Sequence, residues 1–252
     1  MPYADNQGVR IHYQVEGAGP PLVLQHGFTQ SIEDWYECSY VDALKTDNRL
    51  ILIDARGHGG SDKPRDPSEY PLENRVSDVV AVLDALEIAK AHSWGYSMGG
   101  WIGFGMAEYS PERVARLVIG GQHPYPRNHE GQRQILRTGI EQGSEAFLSS
   151  FERMTGTLPA GYKRRLYEAD LPALLAAAQD RTSLEGVLAK IAMPCCLYVG
   201  EADPIFQEAK LASGRIPDAE FFSLPGLTHP PAFFRSDLVL PRVTAFLRSG
   251  AR

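Results

Sequence analysis

The sequence predicts one α/β domain with a mostly parallel central sheet flanked by helices and a small helical subdomain inserted between two strands. Three observations support this prediction. Short apolar runs alternate with stretches of helical periodicity, a pattern typical of strands that helices bury on both faces. A G-x-S-x-G segment joins one such run to a helix-compatible stretch. Residues 123–190 show only helical patterns, and this region is too long to be an ordinary loop.

Composition narrows the class of protein. The chain has 252 residues, of which 43% are hydrophobic and 22% charged, a balance that suffices for a full core. The net charge of -6 disfavours binding to nucleic acid or to an anionic membrane surface, because both are also negatively charged. No apolar stretch approaches the ~18 residues that a membrane span requires. We therefore expect neither nucleic acid nor a membrane as a partner.

The N-terminus and the cysteines bear on the compartment. Residues 1–6 have neither the basic start nor the apolar core of a secretory signal. Cys38, Cys195 and Cys196 are too few for a disulfide framework, and their spacing matches no zinc site. We expect a cytoplasmic protein without a bound metal, and the sequence leaves its oligomeric state open.

Hydrophobic patterning places the elements in order. The segment 9–15 alternates between apolar and polar residues, whereas the other strand candidates are continuous apolar runs. The expected strands are 9–15, 22–24, 50–53, 91–94, 114–119, 194–199 and 220–224. The expected helices of the core are 31–45, capped by Ser31, then 72–86, 100–109, 204–213 and 232–248. The helical runs of the insertion are 130–142, 144–154, 160–168, 171–179 and 184–191.

These elements divide the chain into a core of residues 1–122 and 191–252 and an insertion of residues 123–190. The insertion follows a buried strand, so we expect it to lie over the carboxyl ends of the strands. Open α/β sheets bind their ligands at that edge.

The turn Asp54–Ser61 has two interpretations. Its glycines, Asp54 and His58 suggest a phosphate or metal loop, but the lysine of a phosphate-binding loop is absent. Asp54 and Arg56 can instead hold a tight turn together through side-chain hydrogen bonds. We favour this structural interpretation.

The segment Gly95-Tyr96-Ser97-Met98-Gly99 carries the strongest chemical signal. Between a strand and a helix, the serine of this motif lies on a strained turn that exposes its Oγ. Serine needs a base within hydrogen-bond reach and a carboxylate that orients the base. Asp203 and His229 each follow the end of a later strand, in the order serine, acid, histidine. Asp203 has helix capping as an alternative role, and Glu201 is a rival acid.

These motifs resemble the α/β-hydrolase fold superfamily, serine hydrolase branch, over nearly the whole chain. The matching pieces are His26-Gly27-Phe28, Asp54-x-Arg56-Gly57-x-Gly59-x-Ser61, Gly95-x-Ser97-x-Gly99-Gly100, Gly200-x-x-Asp203 and Gly226-x-x-His229. The resemblance implies that Ser97 is the nucleophile, His229 the base and Asp203 the acid. It also implies oxyanion donors at the backbone N–H groups of Phe28 and Met98. Residues 123–190 would then be a lid inserted after the sixth strand of that fold.

The resemblance implies an esterase-like enzyme that cleaves a small-molecule carboxylic ester or lactone through an acyl-enzyme. It implies no metal and no organic cofactor. We expect a mostly apolar substrate pocket beneath the lid. The candidate wall residues are Trp35, His123, Tyr125, Phe147, Phe151 and Met154.

Several other activities use the same three residues on this fold, so the fold alone does not decide among them. They are those of a lactonase, a carbon–carbon bond hydrolase, a haloperoxidase-like perhydrolase and a lyase of the menaquinone pathway type. Ser97 argues against the branches that use an aspartate nucleophile. A ligand receptor with slow turnover is a further alternative.

Overall fold

The computed structural model describes residues 2–249 and contains one eight-stranded sheet. Its order is β1-β2-β4-β3-β5-β6-β7-β8, with β1 at Tyr3–Asn6, β2 at Val9–Glu16, β3 at Pro21–Gln25, β4 at Arg49–Ile53, β5 at Ala91–Tyr96, β6 at Val114–Gly120, β7 at Cys195–Gly200 and β8 at Glu220–Leu224. β2 pairs antiparallel with β1 and with β4, and every other neighbouring pair is parallel. The mostly parallel sheet that the sequence predicts is therefore confirmed.

Helices lie on both faces of this sheet and in the insertion. They are α1 (Ile32–Glu37), α2 (Tyr40–Leu44), α3 (Leu72–Ala85), α4 (Met98–Tyr109), α5 (Glu130–Gln142), α6 (Ser144–Thr155), α7 (Ala160–Tyr167), α8 (Leu171–Ala177), α9 (Phe206–Ser213), α10 (His229–Phe234) and α11 (Ser236–Arg248). Short 3₁₀ helices occur at Pro67–Glu69, Pro111–Arg113 and Glu185–Lys190. None of the helices within residues 2–249 is both long enough and apolar enough to span a membrane.

Some elements differ from those expected. β1 was not expected, and its four residues form an edge strand that alternates between exposed and buried. The helix expected at 31–45 is two helices, because Ser39 adopts a left-handed conformation with φ 61° between them. Ser31 caps the first of these, accepting a hydrogen bond from the N–H of Glu33. The helix expected at 232–248 is also two helices, and the run at 184–191 is a 3₁₀ helix.

The sheet separates two apolar layers. One layer packs α3 and α4 against the sheet, and the other packs α1, α2, α10 and α11 against the opposite face. The residues of α4 from Met98 to Ala107, all but its last two, are buried, which explains why this helix is apolar around its whole circumference. Helices pack on both faces of the parallel strands, so ligand access is left to the edge where those strands end.

The segment 123–190, called the helical insertion from here on, has a core of its own. Its buried apolar residues are Leu136, Phe147, Phe151, Leu158, Tyr162, Leu166, Leu171, Leu174 and Ala178. Phe28 and Phe234 from the sheet domain pack against this cluster. Near the two ends of the insertion, Arg127 and Arg181 form an isolated antiparallel bridge that holds the entering and leaving chains together.

Candidate active site

Ser97 lies on the turn between β5 and α4 with φ 52° and ψ -110°, a strained conformation for a residue with a side chain. Glycine flanks this turn because no side chain fits there. A Cβ atom on Gly95 would lie 2.0 Å from the carbonyl oxygen of Gly99, and one on Gly99 would lie 2.1 Å from that of Gln25. The N–H of Ser97 donates to the carbonyl oxygen of Gly120 at 2.8 Å, which ties the turn to β6. The packing around the turn thus fixes Ser97 at the carboxyl edge of the sheet.

Three side chains from separate strand ends meet at this turn. The Nε2 atom of His229 lies 2.8 Å from the Oγ of Ser97. The Nδ1 atom of His229 lies 2.6 Å from an oxygen of Asp203. A carboxylate only accepts hydrogen bonds, so this contact assigns the proton to Nδ1 and leaves Nε2 free to accept the serine proton.

The loop after β7 holds Asp203 and directs Glu201 elsewhere. Asp203 is buried, and its second oxygen accepts a hydrogen bond from the N–H of Ile205 at 3.2 Å. Glu201 is exposed and accepts a hydrogen bond from the hydroxyl of Ser223 at 2.7 Å. The geometry therefore distinguishes the two acids, since only Asp203 contacts His229.

The histidine is held by the start of α10. His229 is the first residue of that helix, and its carbonyl oxygen accepts a hydrogen bond from the hydroxyl of Tyr96 at 2.5 Å. The rings of Tyr96 and His229 lie 5.4 Å apart between centroids. Pro230 and Pro231 occupy the first turn of α10, where the missing N–H groups cost the helix no hydrogen bond. Both the backbone and the ring of His229 are thus constrained.

The loop after β3 lies directly beside Ser97. A Cβ atom on Gly27 would lie 3.4 Å from the Cβ of Ser97, and the N–H of Gly27 donates to the side-chain oxygen of Gln30 at 2.7 Å. Within residues 2–249, the N–H groups of Phe28 and Met98 donate to no protein acceptor. Met98 is the first residue of α4, where the helix itself offers its N–H no partner. These two donors are therefore available to a ligand.

A cavity of about 330 Å³, called the serine cavity from here on, opens onto Ser97 and His229. Its volume falls in the range of about 300–1,000 Å³ that is usual for small-molecule sites. Most of its wall is apolar or aromatic and includes Phe28, Phe151, Met154, Tyr162, Phe233 and Phe234. A second cavity of about 410 Å³ adjoins it and shares Phe28, His129, Gln132 and Arg181.

The structure places two of the six expected wall residues, Phe151 and Met154, in the serine cavity. Trp35 lies instead in the core, fully buried and edge to face against Trp94 and Phe233. Its position on α1 turns it toward the sheet, away from the strand ends.

The other three expected wall residues also lie outside the serine cavity. Phe147 fills the core of the helical insertion, with its ring 5.7 Å from that of Phe151. His123 and Tyr125 contact each other, because the Nδ1 of His123 accepts a hydrogen bond from the N–H of Tyr125 at 3.1 Å. The segment after β6 thus folds these two residues against one another, and neither forms part of the wall of the serine cavity.

Sequence reasoning missed the polar part of the wall of the serine cavity, which includes two arginines. Arg127, His129 and Arg181 line it and come from the two ends of the helical insertion. Burial, together with the positive charges of Arg127 and Arg75, lowers the pKa of Arg181 to about 9. Burial also lowers the pKa of His129 to about 3. No local motif marks these residues, since the backbone bridge that joins them spans more than fifty positions of chain.

The turn after β4 has the structural role that the sequence favours. Asp54 accepts hydrogen bonds from the ring of His12 at 2.7 Å and from the N–H groups of Ile32 and Gly60 at 2.9 and 2.8 Å. Arg56 donates two hydrogen bonds of 2.6 Å to Asp78 on α3. Within residues 2–249, no three His, Cys, Asp or Glu side chains group as metal ligands would.

Comparisons with known proteins agree with the fold described above. Among curated proteins, the chain is 34% identical over 158 residues to a putative 2-succinyl-6-hydroxy-2,4-cyclohexadiene-1-carboxylate synthase from Bacillus subtilis (strain 168). That match covers 59% of this chain and 57% of the relative. The chain spans about half the length of the curated relatives it matches.

Solved structures match over nearly the whole chain. The enol-lactonase from Burkholderia xenovorans LB400 superposes with a TM-score of 0.87 at 23% identity, covering 98% of this chain and 100% of that one. A hydrolase from Pseudomonas aeruginosa PA01 superposes with a TM-score of 0.84 at 26% identity, covering 98% of each chain. A family model described as alpha/beta hydrolase fold matches residues 20–233. The chain therefore belongs to the alpha/beta hydrolase fold family.

Proposed function

We propose that this protein is a serine hydrolase that cleaves a small to medium, largely apolar carboxylic ester or lactone through an acyl-enzyme intermediate. The observation that carries the proposal is the chain of contacts from Asp203 through His229 to Ser97, at 2.6 and 2.8 Å, which ends in a cavity of about 330 Å³. The apolar wall of that cavity favours an apolar substrate over a strongly solvated one.

In the first half of the proposed reaction, the Oγ of Ser97 attacks the substrate carbonyl while Nε2 of His229 takes its proton. Asp203 steadies the imidazolium that forms. Negative charge develops on the carbonyl oxygen, and the N–H groups of Phe28 and Met98 are the donors that would stabilise it. Each donor of this kind contributes about 3 kcal/mol in a transition state. His229 then protonates the departing alcohol.

In the second half, water replaces the alcohol. His229 takes a proton from that water, the hydroxide attacks the acyl carbon, and Ser97 leaves with the proton that His229 returns. The same two N–H donors serve both halves, because the charge develops at the same oxygen. The step frees the carboxylic acid and restores the starting protonation of all three residues.

We further propose that the helical insertion acts as a lid over the nucleophile. Phe151, Met154 and Tyr162 of the insertion face Ser97 and His229 across the serine cavity. Apolar side chains in this position exclude water from the attacking serine and strengthen the electrostatic interactions in the site.

The direct test is hydrolysis of p-nitrophenyl esters from acetate to a long-chain acid, with and without a serine-directed fluorophosphonate. We expect saturable turnover that the reagent abolishes, with the label on Ser97. The chain length that gives the highest kcat/KM measures the depth of the serine cavity. If the protein neither hydrolyses the esters nor reacts with the reagent, Ser97 is not an active nucleophile and the proposal is wrong.

A reaction other than ester hydrolysis, such as that of a lyase or a carbon–carbon bond hydrolase, is the second candidate. The similarity to the Bacillus protein, whose name describes a putative synthase and not a hydrolase, supports it. Such an enzyme would use the same three residues on a substrate that simple esters do not resemble. Labelling of Ser97 without turnover of any p-nitrophenyl ester would favour this candidate over an ester hydrolase.

A further inference from the structure

Arg127 and Arg181 pair with each other where the chain enters and leaves the helical insertion. This pair of residues is called the neck from here on. The N–H of Arg127 donates to the carbonyl oxygen of Arg181 at 3.1 Å, and the N–H of Arg181 donates to that of Arg127 at 2.9 Å. A reciprocal pair of this kind is the hydrogen-bonded pair of an antiparallel ladder, whose opposed side chains extend from the same face. Like charges in directly opposed positions are destabilising. The fold therefore holds two positive side chains together at a cost.

No acid in the described part of the chain offsets this cost. Neither Arg127 nor Arg181 forms an ion pair among residues 2–249. The nearest carboxylate in sequence, Asp180, is taken up by the side chain of Arg133 at 2.7 Å and by the N–H of His129 at 2.8 Å. Other arginines of the insertion, such as Arg133 and Arg165, do pair with carboxylates. Arg153 and Arg164 also form no ion pair among residues 2–249, but they line neither cavity, whereas Arg127 and Arg181 line the serine cavity.

Both neck arginines line the serine cavity. The guanidinium of Arg181 lies over the ring of Trp101, 5.2 Å from its centroid, one helical turn beyond Ser97. Arg127 is exposed and lies at the solvent side of the same cavity. His129 lines the same cavity, and its Nδ1 atom is buried and has no hydrogen-bond partner among residues 2–249. The Nδ1 atom of His129 is thus a polar atom in this part of the wall that could still form a hydrogen bond with a ligand.

Within the described part of the chain, the surroundings of Arg181 contain positive charges and no negative charge that would balance them, which agrees with a site for an anion. Burial and the charges of Arg127 and Arg75 lower its pKa to about 9, whereas a bound anion would raise it. Arg75 adds positive charge in the adjoining cavity, but its own guanidinium is occupied by the carbonyl oxygens of Tyr70 and Ala177 and by the sulfur of Met98.

We propose that Arg127 and Arg181 form an anion subsite of the serine cavity, and that the substrate cleaved at Ser97 carries a carboxylate group held there. This inference rests on the proposed function and narrows its substrate class from apolar esters to esters or lactones with one anionic end. Planar guanidinium groups bind carboxylates through paired, charge-assisted hydrogen bonds. A carboxylate between the two arginines also bridges the entering and leaving chains of the insertion, so binding would stabilise the neck.

Two matched pairs of esters test the inference, one for each side of the scissile bond. The first pair is mono-p-nitrophenyl adipate and its neutral methyl ester, with the charge on the acyl side. The second pair is 4-butanoyloxybenzoate and its neutral methyl ester, with the charge on the leaving group. We expect kcat/KM for the anionic member to exceed that of the neutral member by about tenfold or more in at least one pair.

The arginine variants decide whether the preference arises at the neck. Arg181→Gln and Arg127→Gln should each lower the anionic-to-neutral ratio of kcat/KM by about tenfold to a hundredfold. The matched control is Arg164→Gln, which removes the same charge from an exposed position on α7 that borders neither cavity. The control should leave the ratio unchanged. Equal ratios in the wild type and both neck variants would overturn the inference.

A binding measurement separates failure of this inference from failure of the proposed function. Calorimetric titration of the Ser97→Ala protein with adipate and with dimethyl adipate needs no turnover. We expect adipate to bind more tightly than the diester, and the additional change Arg181→Gln to weaken adipate at least about tenfold. If no ester is hydrolysed but adipate binding depends on Arg181, the ester hydrolase proposal fails and the anion subsite stands. If Arg181→Gln leaves the affinity for adipate unchanged, the anion subsite is contradicted.

Discussion

Within residues 2–249, two buried aspartates each contact a histidine at the carboxyl edge of the sheet, and one of these two pairs reaches a nucleophile. Asp203 contacts Nδ1 of His229 at 2.6 Å, and Asp54 contacts Nδ1 of His12 at 2.7 Å. The side chain of His229 is 31% exposed, whereas that of His12 is 4% exposed. The near-identical contacts differ in what surrounds them.

The second ring nitrogen shows the difference most clearly. Nε2 of His229 meets the Oγ of Ser97 at 2.8 Å, beside an open cavity. Nε2 of His12 is buried and has no partner among residues 2–249. Asp54 also accepts two backbone N–H groups, so it joins three segments of chain into one turn. A histidine–aspartate contact therefore indicates catalysis only when a nucleophile and a cavity complete it.

The change with the largest expected effect removes the nucleophile. Ser97→Ala should lower kcat on a p-nitrophenyl ester by about 10⁴-fold or more, because among residues 2–249 no other hydroxyl contacts the Nε2 atom of His229. The variant should keep the wild-type fold and unfolding midpoint. Ser93→Ala is the matched control, since it removes a buried hydroxyl from β5, the strand that leads to Ser97, and Ser93 does not contact His229. Ester turnover retained in Ser97→Ala would end the catalytic assignment of this histidine–aspartate pair.

The next change tests the acid of the proposed triad. Asp203→Asn should lower kcat by about 10³–10⁴-fold, since an amide no longer selects the tautomer that leaves Nε2 free. Glu201→Gln is the control, because Glu201 is exposed and contacts Ser223 instead. It should leave kcat near the wild-type value. The opposite ranking in steady-state kinetics would assign the acid to Glu201.

Mutation of the pair formed by Asp54 and His12 should change the stability of the protein. Burial alone would raise the pKa of Asp54, but hydrogen bonds from His12 and from backbone N–H groups hold it below its ordinary value. Asp54→Asn should therefore lower the free energy of unfolding by about 3–5 kcal/mol, as expected when a buried charged contact is broken. Denaturant unfolding measures this change. Asp203→Asn should cost far less stability, and equal losses would mean that the two aspartates do not have separate roles.

The smallest predicted effect concerns a buried histidine that contacts neither aspartate. Burial lowers the pKa of His123 to about 4, below its ordinary value of 6.5. The unfolded chain then binds more protons than the folded one between these values, so stability falls as the pH decreases from about 6.5 toward 4. His123→Asn keeps an acceptor for the N–H of Tyr125. It should remove about 1–2 kcal/mol of the stability loss between pH 7 and 5, measured by denaturant unfolding.

The control for this pH dependence is His92→Asn. The pKa of His92 is also lowered by burial, but its side chain is only half-buried and its contribution should be smaller. Ester hydrolysis at pH 7 should not change in either variant, because neither histidine lines the serine cavity. An unchanged pH slope in His123→Asn would show that its protonation is not coupled to folding.

Local pattern sufficed for most of the fold. The parallel strands are continuous apolar runs because both of their faces are covered, and each of these runs is a strand in the structure. The edge strand β1 was not predicted because four residues are too few for an alternation of polar and apolar side chains to be recognised. The break at Ser39 escaped because a left-handed residue other than glycine has no sequence signature.

The pocket walls were less predictable than the strands. Trp35 was expected in the wall but lies in the core, since periodicity locates an amphipathic face without saying which apolar residues border a cavity. Phe147 and Phe151 lie four residues apart on α6, yet only Phe151 reaches the serine cavity. The orientation of the helical insertion over the sheet separates these two residues, and that orientation depends on contacts distant in sequence.

The sequence by itself determined the fold class, the strained serine turn and the order of the three polar residues that follow strand ends. It could do so because glycine spacing and buried apolar runs are local consequences of backbone sterics and burial. Only the tertiary structure decided which of two acids meets His229, that the second histidine–aspartate contact is a structural tie, and that Arg127 and Arg181 face each other across the neck. These outcomes depend on distances between residues far apart in the chain, which the packing of the sheet and the insertion sets.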